Sequence, residues 1–451
     1  MTPTPLVRSS PQLARRASAL AFLGALATPL ACVAALPIEH WDTAAGAHVY
    51  FIASRDLPMV DVSVDFAAGS GRDTRDTSGL ASLTQRLMRL GADGMNEDDI
   101  SRQVADVGAN LSGSFDLDRA GYALRTLSSE LEQRQALAVL GRLLQAPSFP
   151  GAVLEREKAR VIAGLKEADT KPDSIAARAF MELVYRDHPY ALRSAGEPTT
   201  VARLTRDDLV AFYRTHYTAD RAVVAIVGDV TRERAEQIAE ELTRALPPAK
   251  VAPGGLPPVT PLTAAVEREI EYSSAQAHIL VGQTGLDRND PDYFPLWVGN
   301  YILGGGGFSS RLSEEVRQKR GLSYSVYSYF MPYQQPGPFQ IGLQTRGDQA
   351  RDALVVVREV LGKFVASGAT ERELEGAKQN IIGGFALRVD SNRKLHDYVR
   401  VIGFYHLPLD YLDTFTAKVQ AVTLDQVRAA FRRRVQPDLM VTVMVGAKAV
   451  K

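Results

Sequence analysis

Two stretches of the sequence match each other at one constant offset along the chain, and this repeat constrains the fold more than any other feature. Residues 204–228 and 422–446 read in the same order, a capped helical pattern and then an apolar run that ends in glycine. Thr205 and Thr423 open the two copies and Gly228 and Gly446 close them, so the separation is the same at both ends. This constant offset predicts duplication of one unit of about 200 residues, and not a short-period solenoid.

A proline-rich segment separates the two copies. Residues 247–261 read PPAKVAPGGLPPVTP, a density of proline and glycine that excludes an interior helix or a central strand. We therefore predict a linker over residues 247–262, an N-terminal domain over residues 35–246 and a C-terminal domain over residues 263–451. A chain of 451 residues is long enough for two to four domains.

Composition and charge exclude several classes of protein. Apolar residues make up 45% and charged residues 23%, which is ordinary for a globular protein. Basic and acidic residues number 52 each, so no overall field attracts nucleic acid or an anionic membrane, and we expect no nucleic-acid partner. Cys32 is the only cysteine, which excludes an intrachain disulfide framework and a cysteine-rich zinc site.

The N-terminal segment is typical of an export signal. Three arginines precede an uncharged stretch rich in alanine and leucine at residues 17–38. Cleavage after Ala34 or Ala35 competes with lipoprotein processing at Cys32, and we assign residues 1–34 to a signal peptide. Since no later segment contains 18 uncharged apolar residues, we expect a periplasmic mature chain without a membrane span.

Hydrophobic periodicity predicts an α+β unit that occurs twice. Val60, Val62, Val64 and Phe66 alternate with polar residues, the two-residue period of a strand with one buried face. Strands and helices are grouped and do not strictly alternate, which favours two homologous domains, each a mainly antiparallel sheet with helices packed on one face. The predicted strands are residues 60–66, 222–227, 277–283, 322–330, 339–345 and 439–445. The predicted helices are residues 79–90, 96–107, 130–145, 150–168, 175–185, 206–213, 293–303, 311–319, 348–367, 371–387 and 424–433.

Four segments in this order carry a resemblance to a known family. Residues 69–90, the run Asp187-His188-Pro189-Tyr190, the strand at 222–229 and the block at 304–327 together resemble the pitrilysin/insulinase family of inverted-motif zinc metallopeptidases. Within it, the chain looks closest to the bacterial and mitochondrial-processing-peptidase branch. The resemblance covers about residues 49–446 and implies a clam-like pair of domains around a chamber.

Members of that family that bind zinc carry His-x-x-Glu-His on the first long helix. Here a Gly-Leu-Ala start is followed by Ser82, Gln85 and Arg86 at the three motif positions, which share one helical face. Hydroxyl and amide groups are poor zinc ligands, and Arg86 carries a permanent positive charge. The family's third ligand falls at Gly164 when Glu157 is aligned with the upstream acidic position. The resemblance therefore implies a degenerate motif and no metal in this chain.

The histidines offer no replacement at helical spacing. No two of the seven stand three or four residues apart, although a site assembled from distant elements stays open at this point. His188, which precedes Pro189 and Tyr190, favours a structural turn over a catalytic role. The full set is His40, His48, His188, His216, His278, His396 and His406.

The second half contains a glycine run at residues 304–307. The lysine and hydroxyl residue of a Walker motif are missing after it, so phosphate binding is a poor interpretation. Four glycines can form a loop that adapts to substrate, and a plain turn between helices is the equal alternative. The candidate substrate-binding residues are Gly305, Gly306, Gly307 and Phe308.

The same block contains Arg317 and Tyr324, seven residues apart. The resemblance implies that these two side chains reach the peptide, hold its carbonyl and stabilise the oxyanion of the transition state. Without the resemblance, Arg317 is a surface residue and Tyr324 an aromatic in a half-buried strand.

Together these features predict a zinc-free subunit of a secreted heterodimeric zinc metalloendopeptidase that acts on small or unfolded peptides. A homologous catalytic subunit with His-x-x-Glu-His would bind the zinc, so this chain would hold no cofactor and would not be an enzyme on its own. The peptide would add as a strand to a sheet edge. A non-catalytic peptide-binding or assembly scaffold and a self-sufficient hydrolase with an unrecognised metal or nucleophile stay open as alternatives.

Overall fold

The computed structural model describes residues 37–249 and 254–447. The predicted export signal, Cys32 included, and four residues of the predicted linker lie outside these ranges. Within the described part, residues 254–262 form neither helix nor strand. None of the helices described there is both long and apolar enough to cross a membrane.

The first half is built on a six-stranded sheet. Its strands, together with the short pair β4 and β5, are β1 (Glu39–Asp42), β2 (His48–Ala53), β3 (Met59–Phe66), β4 (Gly91–Ala92), β5 (Met95–Asn96), β6 (Asn110–Phe115), β7 (Ala120–Leu127) and β8 (Val223–Gly228). Its helices are α1 (Leu80–Met88), α2 (Glu97–Asp106), α3 (Glu130–Gln145), α4 (Gly151–Ala168), α5 (Pro172–Tyr185), α6 (Pro198–Arg203), α7 (Arg206–His216) and α8 (Arg232–Thr243). The strand order is β1-β2-β8-β3-β7-β6, and only β2 and β8 run parallel.

The second half is built on a five-stranded sheet. Its strands are β9 (Val266–Ile270), β10 (Gln276–Thr284), β11 (Ser325–Phe330), β12 (Pro338–Arg346) and β13 (Val441–Val445). Its α-helices are α9 (Tyr293–Asn300), α10 (Ala350–Ser367), α11 (Glu371–Gly383), α12 (Asn392–Phe404), α13 (Tyr411–Ala421) and α14 (Leu424–Arg434). The order is β11-β12-β10-β13-β9, and only β13 and β9 run parallel. The predicted α+β class with mainly antiparallel sheets is confirmed.

The constant offset of the sequence repeat extends through the elements of both halves. β2 begins at His48 and β9 at Val266, with the same separation as in the sequence repeat. β8 and β13, which begin at Val223 and Val441, keep this separation. α7 and α14 match in the same way and have equal lengths. Each half therefore repeats one arrangement of strands and helices, as the sequence predicts.

Some helices and strands have boundaries that differ from the predicted ones. The helix predicted at 293–303 ends as α9 at Asn300 and continues as a π-helical turn at Tyr301–Gly305. The helix predicted at 311–319 contains a π-helical segment at Ser313–Gln318. The strand predicted at 322–330 begins only at Ser325. A side chain at Gly304 would collide with Ser328 of β11, so close packing against this strand shapes the turn.

Each sheet is covered on its second face by a helix from the other half. α5 packs against β10 and β13, where its buried Phe180 joins a cluster with Leu280 and Val443. α12 packs against β2, β3 and β8, with Val399 and Ile402 in a second cluster. Along the sequence, the last residues of α5 and α12 are separated by almost the same offset as the repeat, so these two helices are equivalent. Each half therefore contributes the equivalent helix to the sheet of the other half. The sequence predicts helices on one face only, and the exchange adds the second layer.

Candidate active-site cleft on helix α1

Helix α1, which carries the degenerate motif, begins at a buried acidic cap. The Asp73 carboxylate accepts hydrogen bonds from the backbone N–H of Gly79, at 2.8 Å, and of Ala81, at 2.9 Å. Burial raises the pKa of Asp73 to about 7, although both backbone hydrogen bonds act against this rise. Gly79 has a φ of +96°, a left-handed conformation that favours glycine. The cap fixes the start of α1 and hence the direction in which its motif residues point.

A cleft of about 340 Å³ lies between α1, α4 and the edge strand β6. Leu80, Leu83 and Leu87 hold α1 in the core of the first half. The motif residues Ser82, Gln85 and Arg86 lie on the side that faces the cleft. From the other elements, Gly113, Glu157 and Arg160 complete this wall. The structure therefore brings the three predicted motif positions together.

Glu157 forms ion pairs with three arginines at this cleft. Its side chain is only 1% exposed, and its Oε2 atom lies 3.0 Å from Arg86 Nε. Its Oε1 atom accepts hydrogen bonds from Arg156, at 3.1 Å, and from Arg160, at 2.8 Å. A buried carboxylate needs such partners because an unpaired buried charge is strongly unfavourable. Both carboxylate oxygens of Glu157 are thus engaged by guanidinium groups.

The Gln85 side chain is buried between α1 and the sheet. Its amide Nε2 donates to the Gly121 carbonyl at 3.4 Å, and its backbone carbonyl accepts a hydrogen bond from the Tyr122 hydroxyl. A Cβ atom at Gly113 would collide with this amide, so β6 passes the helix at its glycine. Gln85 therefore packs against backbone, in the place where the family's motif has a general-base glutamate.

The residues at the motif do not fit a zinc ion. Ser82 and Gln85 offer a neutral hydroxyl and amide, whereas protein zinc sites use thiolates, imidazoles and carboxylates. Arg86, Arg89 and Arg160 outnumber the two lining glutamates, Glu97 and Glu157, so the cleft has a net positive charge at neutral pH. This charge opposes a divalent cation.

The predicted position of the third ligand is Gly164, on α4. Gly164 is exposed, has open space where a side chain would project, and does not line the cleft. Seven residues make two helical turns, about 10 Å along the axis, so α4 brings Glu157 and not Gly164 to Arg86. The sequence contains the signal for this: Glu157 follows Leu154 by three residues, on the buried face of α4.

The edge strand β6 offers backbone groups for pairing. It pairs with β7 on one side and is the last strand in the order of its sheet within the described residues. An edge strand presents N–H and C=O groups that can pair with an additional strand. Because Gly113 and Phe115 also line the cleft, an extended peptide on this edge would run beside Gln85 and Arg86.

In the second half, the structure brings together Phe308, Arg317 and Tyr324. The Arg317 guanidinium lies 4.3 Å from the centre of the Phe308 ring and 4.9 Å from that of Tyr324. The two aromatic side chains are 67% and 82% exposed. Within residues 37–249 and 254–447, Arg317 forms no ion pair with a carboxylate. The geometry is a cation held between two aromatic rings on an open surface.

The glycine run is explained by packing at three of its positions. Side chains at Gly304, Gly305 and Gly306 would lie within 3 Å of Ser328, Asn300 and Tyr301 respectively. Gly307 has a φ of +61°, which again favours glycine. These contacts are those of a tight turn, and Phe308 follows it and lies beside Arg317.

His188 lies in a turn, as the sequence predicts. Its Nδ1 atom accepts a hydrogen bond from Tyr190 N at 3.1 Å, and its Nε2–H donates to the Pro257 carbonyl at 2.9 Å. Burial lowers the pKa of His188. Both ring nitrogens form hydrogen bonds with backbone groups, and one of these groups, the Pro257 carbonyl, lies in the segment between the halves. The residue therefore has a structural role.

Comparison with known proteins gives the family. Residues 49–197 match the model of the insulinase domain, peptidase family M16, and residues 203–381 match that of the peptidase M16 inactive domain. The crystal structure of a peptidase M16 inactive domain from Pseudomonas fluorescens is 36% identical, with a TM-score of 0.89. The match covers 92% of this chain and 99% of that one. The chain belongs to the peptidase M16 (insulinase) family.

Among curated M16 relatives, the uncharacterized zinc protease YmxG of Bacillus subtilis is 25% identical over 89% of this chain and 96% of its own length. The non-peptidase homolog YmxG of Helicobacter pylori is 23% identical over 87% and 90%. The "Probable mitochondrial-processing peptidase subunit beta" of Schizosaccharomyces pombe is 26% identical over 73% and 74%. M16 chains of this length thus carry names of proteases, of a non-peptidase and of one subunit of a processing peptidase.

Proposed function

We propose that this M16 chain is the subunit that lacks the catalytic zinc, in a secreted two-chain metallopeptidase. The observation that carries the proposal is the Arg86–Glu157 ion pair, which sets a fixed positive charge where the zinc-binding motif has its second histidine. With Ser82 and Gln85 at the other motif positions, hydrolysis would need a metal centre on a partner chain that bears His-x-x-Glu-His. The sequence of residues 1–34 supports export to the periplasm.

Two features support a part in the partner's reaction. The Arg317 guanidinium lies between Phe308 and Tyr324, and both of these rings are open to solvent. A guanidinium and a phenol fixed in this way can donate hydrogen bonds to a peptide carbonyl and to the oxyanion that forms from it. Supplied across the chamber, these donors would complete the site of the catalytic chain.

A second candidate function is peptide binding without catalysis, in an assembly or scaffold protein. The edge strand β6 favours it, since β6 and the cleft beside Arg86 can take an extended peptide whether or not a metal centre is near. A two-chain peptidase and a scaffold predict different outcomes when the partner is added.

Co-expression with a chain that carries His-x-x-Glu-His, from a neighbouring gene, tests the proposal. We expect the two chains to copurify and to cleave unfolded peptides, and a chelator to abolish the cleavage. Each chain alone should be inactive. A copurifying pair whose turnover does not require this chain would support the scaffold, and activity of this chain alone in the presence of chelator would overturn the subunit role.

Variants of the second half separate the roles further. Arg317→Ala or Tyr324→Phe should lower the turnover of the pair by ~10²–10³, the scale for loss of one oxyanion donor, while copurification persists. Arg346→Ala is the matched control for Arg317→Ala, and Tyr327→Phe is the matched control for Tyr324→Phe. Both control residues are exposed in the five-stranded sheet of the second half. Equal turnover in all four variants would reject the role of Arg317 and Tyr324.

A further inference from the structure

Three potential metal ligands meet on the hairpin of β1 and β2, on the sheet edge opposite to β6. Asp42 pairs directly with His48 across the two strands, and His40 pairs with Tyr50. His40 and Asp42 are two residues apart on one strand, so their side chains share a face with those of His48 and Tyr50. The pairing register of β1 and β2 therefore brings two imidazoles and a carboxylate together, although these residues do not have the spacing of ligands that share one helical face.

The ligand atoms are at distances that one metal ion can bridge. His48 Nδ1 lies 2.7 Å and His40 Nε2 4.0 Å from Asp42 Oδ1. One ligand atom from each of the three residues lies within 4.8 Å of the other two. In a tetrahedral zinc site with bonds of 2.0–2.2 Å, neighbouring ligand atoms are about 3.3 Å apart, so small side-chain rotations suffice.

Neighbouring groups hold the His40 ring in a binding orientation. Its Nδ1–H donates to the Val49 carbonyl at 2.9 Å, which leaves the Nε2 lone pair on the side of Asp42. The ring stacks on Tyr50, with 4.5 Å between centroids. Hydrogen bonding of the second ring nitrogen to a carbonyl is the usual support of a metal-bound histidine.

A residue of the second half contacts the same cluster. His406, which follows α12, packs edge-on against His48 with 5.9 Å between ring centroids. Its φ of +51° is the left-handed conformation, uncommon outside glycine. The cluster therefore lies where the edge of the first sheet meets the exchanged helix α12.

We propose that His40, Asp42 and His48 bind one divalent first-row transition-metal ion, with Zn²⁺ as the leading occupant. Two imidazoles and one carboxylate match the ligand preference of zinc and its neighbours, whereas calcium and magnesium prefer oxygen ligands alone. The Asp42 side chain is 57% exposed, so a water molecule can complete the coordination. The bound ion would join β1 to β2 and stabilise this edge of the sheet.

This site is independent of the M16 motif on α1, and the experiment keeps the two apart. The full mature chain without a histidine tag is titrated with Zn²⁺ against a chromogenic chelator, and with Co²⁺ while its visible absorption is recorded. We expect one equivalent of each ion, a tetrahedral cobalt spectrum and a rise in the thermal midpoint of unfolding that a chelator reverses.

Variants locate the ion. His40→Ala, His48→Ala and the surface change Asp42→Asn should each weaken zinc binding by at least ~10–100-fold, the loss known for outer-shell partners alone. His278→Ala, at a half-buried histidine outside the cluster, is the matched control and should bind as the parent does. If an alanine variant fails to fold, Asp42→Asn tests the site instead, because the Asp42 side chain faces solvent.

Three results would overturn the inference: no zinc bound at micromolar concentration, equal binding by the cluster variants and the control, or zinc lost only on Glu157→Gln. The last result would place the ion in the cleft and would also contradict the proposed function. Failure to bind any zinc would remove the hairpin site and leave the subunit proposal untouched.

Discussion

Arg400 and Asp65 form a two-pronged ion pair that joins the two halves. Arg400 Nε and Nη2, on α12, donate to the Asp65 carboxylate on β3 at 2.8 and 2.7 Å. Burial alone would raise the pKa of Asp65, but the charges of Arg400 and Arg119 and the hydrogen bonds from Arg400 and Ser114 together hold this pKa below its usual value. The pair lies inside the contact that the exchanged helix makes with the first sheet.

Removal of Arg400 should destabilise the whole chain. Arg400→Ala removes the ion-pair partner of the buried Asp65 carboxylate and should lower the free energy of unfolding by about 3–5 kcal/mol. Urea unfolding followed by circular dichroism measures the loss. Arg393→Ala, at an exposed arginine of the same helix, should change stability by less than about 0.5 kcal/mol. Similar losses in both variants would show that the pair does not stabilise the interface.

Acid should weaken the contact of α12 with the first sheet. Burial, and then the charge of Arg400, lowers the pKa of His396 to about 4 from an ordinary value near 6.5. Between pH 6.5 and 4, His396 therefore binds a proton in the unfolded chain but not in the folded chain. Stability falls as pH drops through this window.

Replacement of His396 should make stability less dependent on pH. His396→Gln should remove up to about 3 kcal/mol of the loss between pH 6.5 and 4, measured by urea unfolding at several pH values. His216, whose pKa burial also lowers to about 4, should preserve part of the slope in this variant. An unchanged slope would mean that His396 is already protonated in the folded chain.

Restoring the family's motif should create a zinc site that uses Glu157. The variant Ser82→His, Gln85→Glu, Arg86→His removes the guanidinium that engages Glu157 Oε2. In a His40→Ala background, which disables the hairpin site, we expect one zinc per chain by elemental analysis.

Two further changes check the ligand assignment. Glu157→Gln in this variant should abolish its zinc binding, while Gly164→Ala should leave it unchanged, because Gly164 lies away from the cleft. Zinc that survives Glu157→Gln would contradict the assignment of Glu157 as the residue opposite α1.

Phe308 should act only through Arg317. An exposed cation–π contact contributes about 0.5–1 kcal/mol, so Phe308→Ala should slow the two-chain peptidase by about 2–5-fold. This loss is much smaller than that expected for Arg317→Ala, and kcat and KM of the reconstituted pair measure both. Leu387→Ala removes another exposed apolar side chain of this half and serves as the control. A loss from Phe308→Ala as large as from Arg317→Ala would give Phe308 a direct role.

The repeat and the main helices could be predicted from the sequence because they depend on local periodicity. α3 has the predicted bounds, and the offset of Thr205 and Thr423 recurs as a pair of capping boxes at the starts of α7 and α14. Strand β6 could not be predicted in this way. In its sequence, NLSGSF, Gly113 interrupts the alternation of Leu111 and Phe115 with polar residues, and this edge strand has no fully buried side chain.

The candidate site was only partly predictable. The helical spacing of Ser82, Gln85 and Arg86 places them on one face, and the structure brings them together in the cleft. Which turn of α4 faces this group depends on how the two helices pack, and the sequence does not encode that directly. The contact of His40 with His48 depends in the same way on strand register, which their spacing along the chain does not reveal.

The exchange of α5 and α12 means that neither half is a self-contained module. A half expressed alone would leave one face of its sheet bare, an apolar surface that in the intact chain is covered by the other half's helix. Because the two exchanged helices occupy equivalent places in the repeat, two copies of one half could cover each other by the same swap. Such an isologous dimer of a unit of half this length would reproduce the architecture of the present chain, with the proline-rich connection serving as a tether.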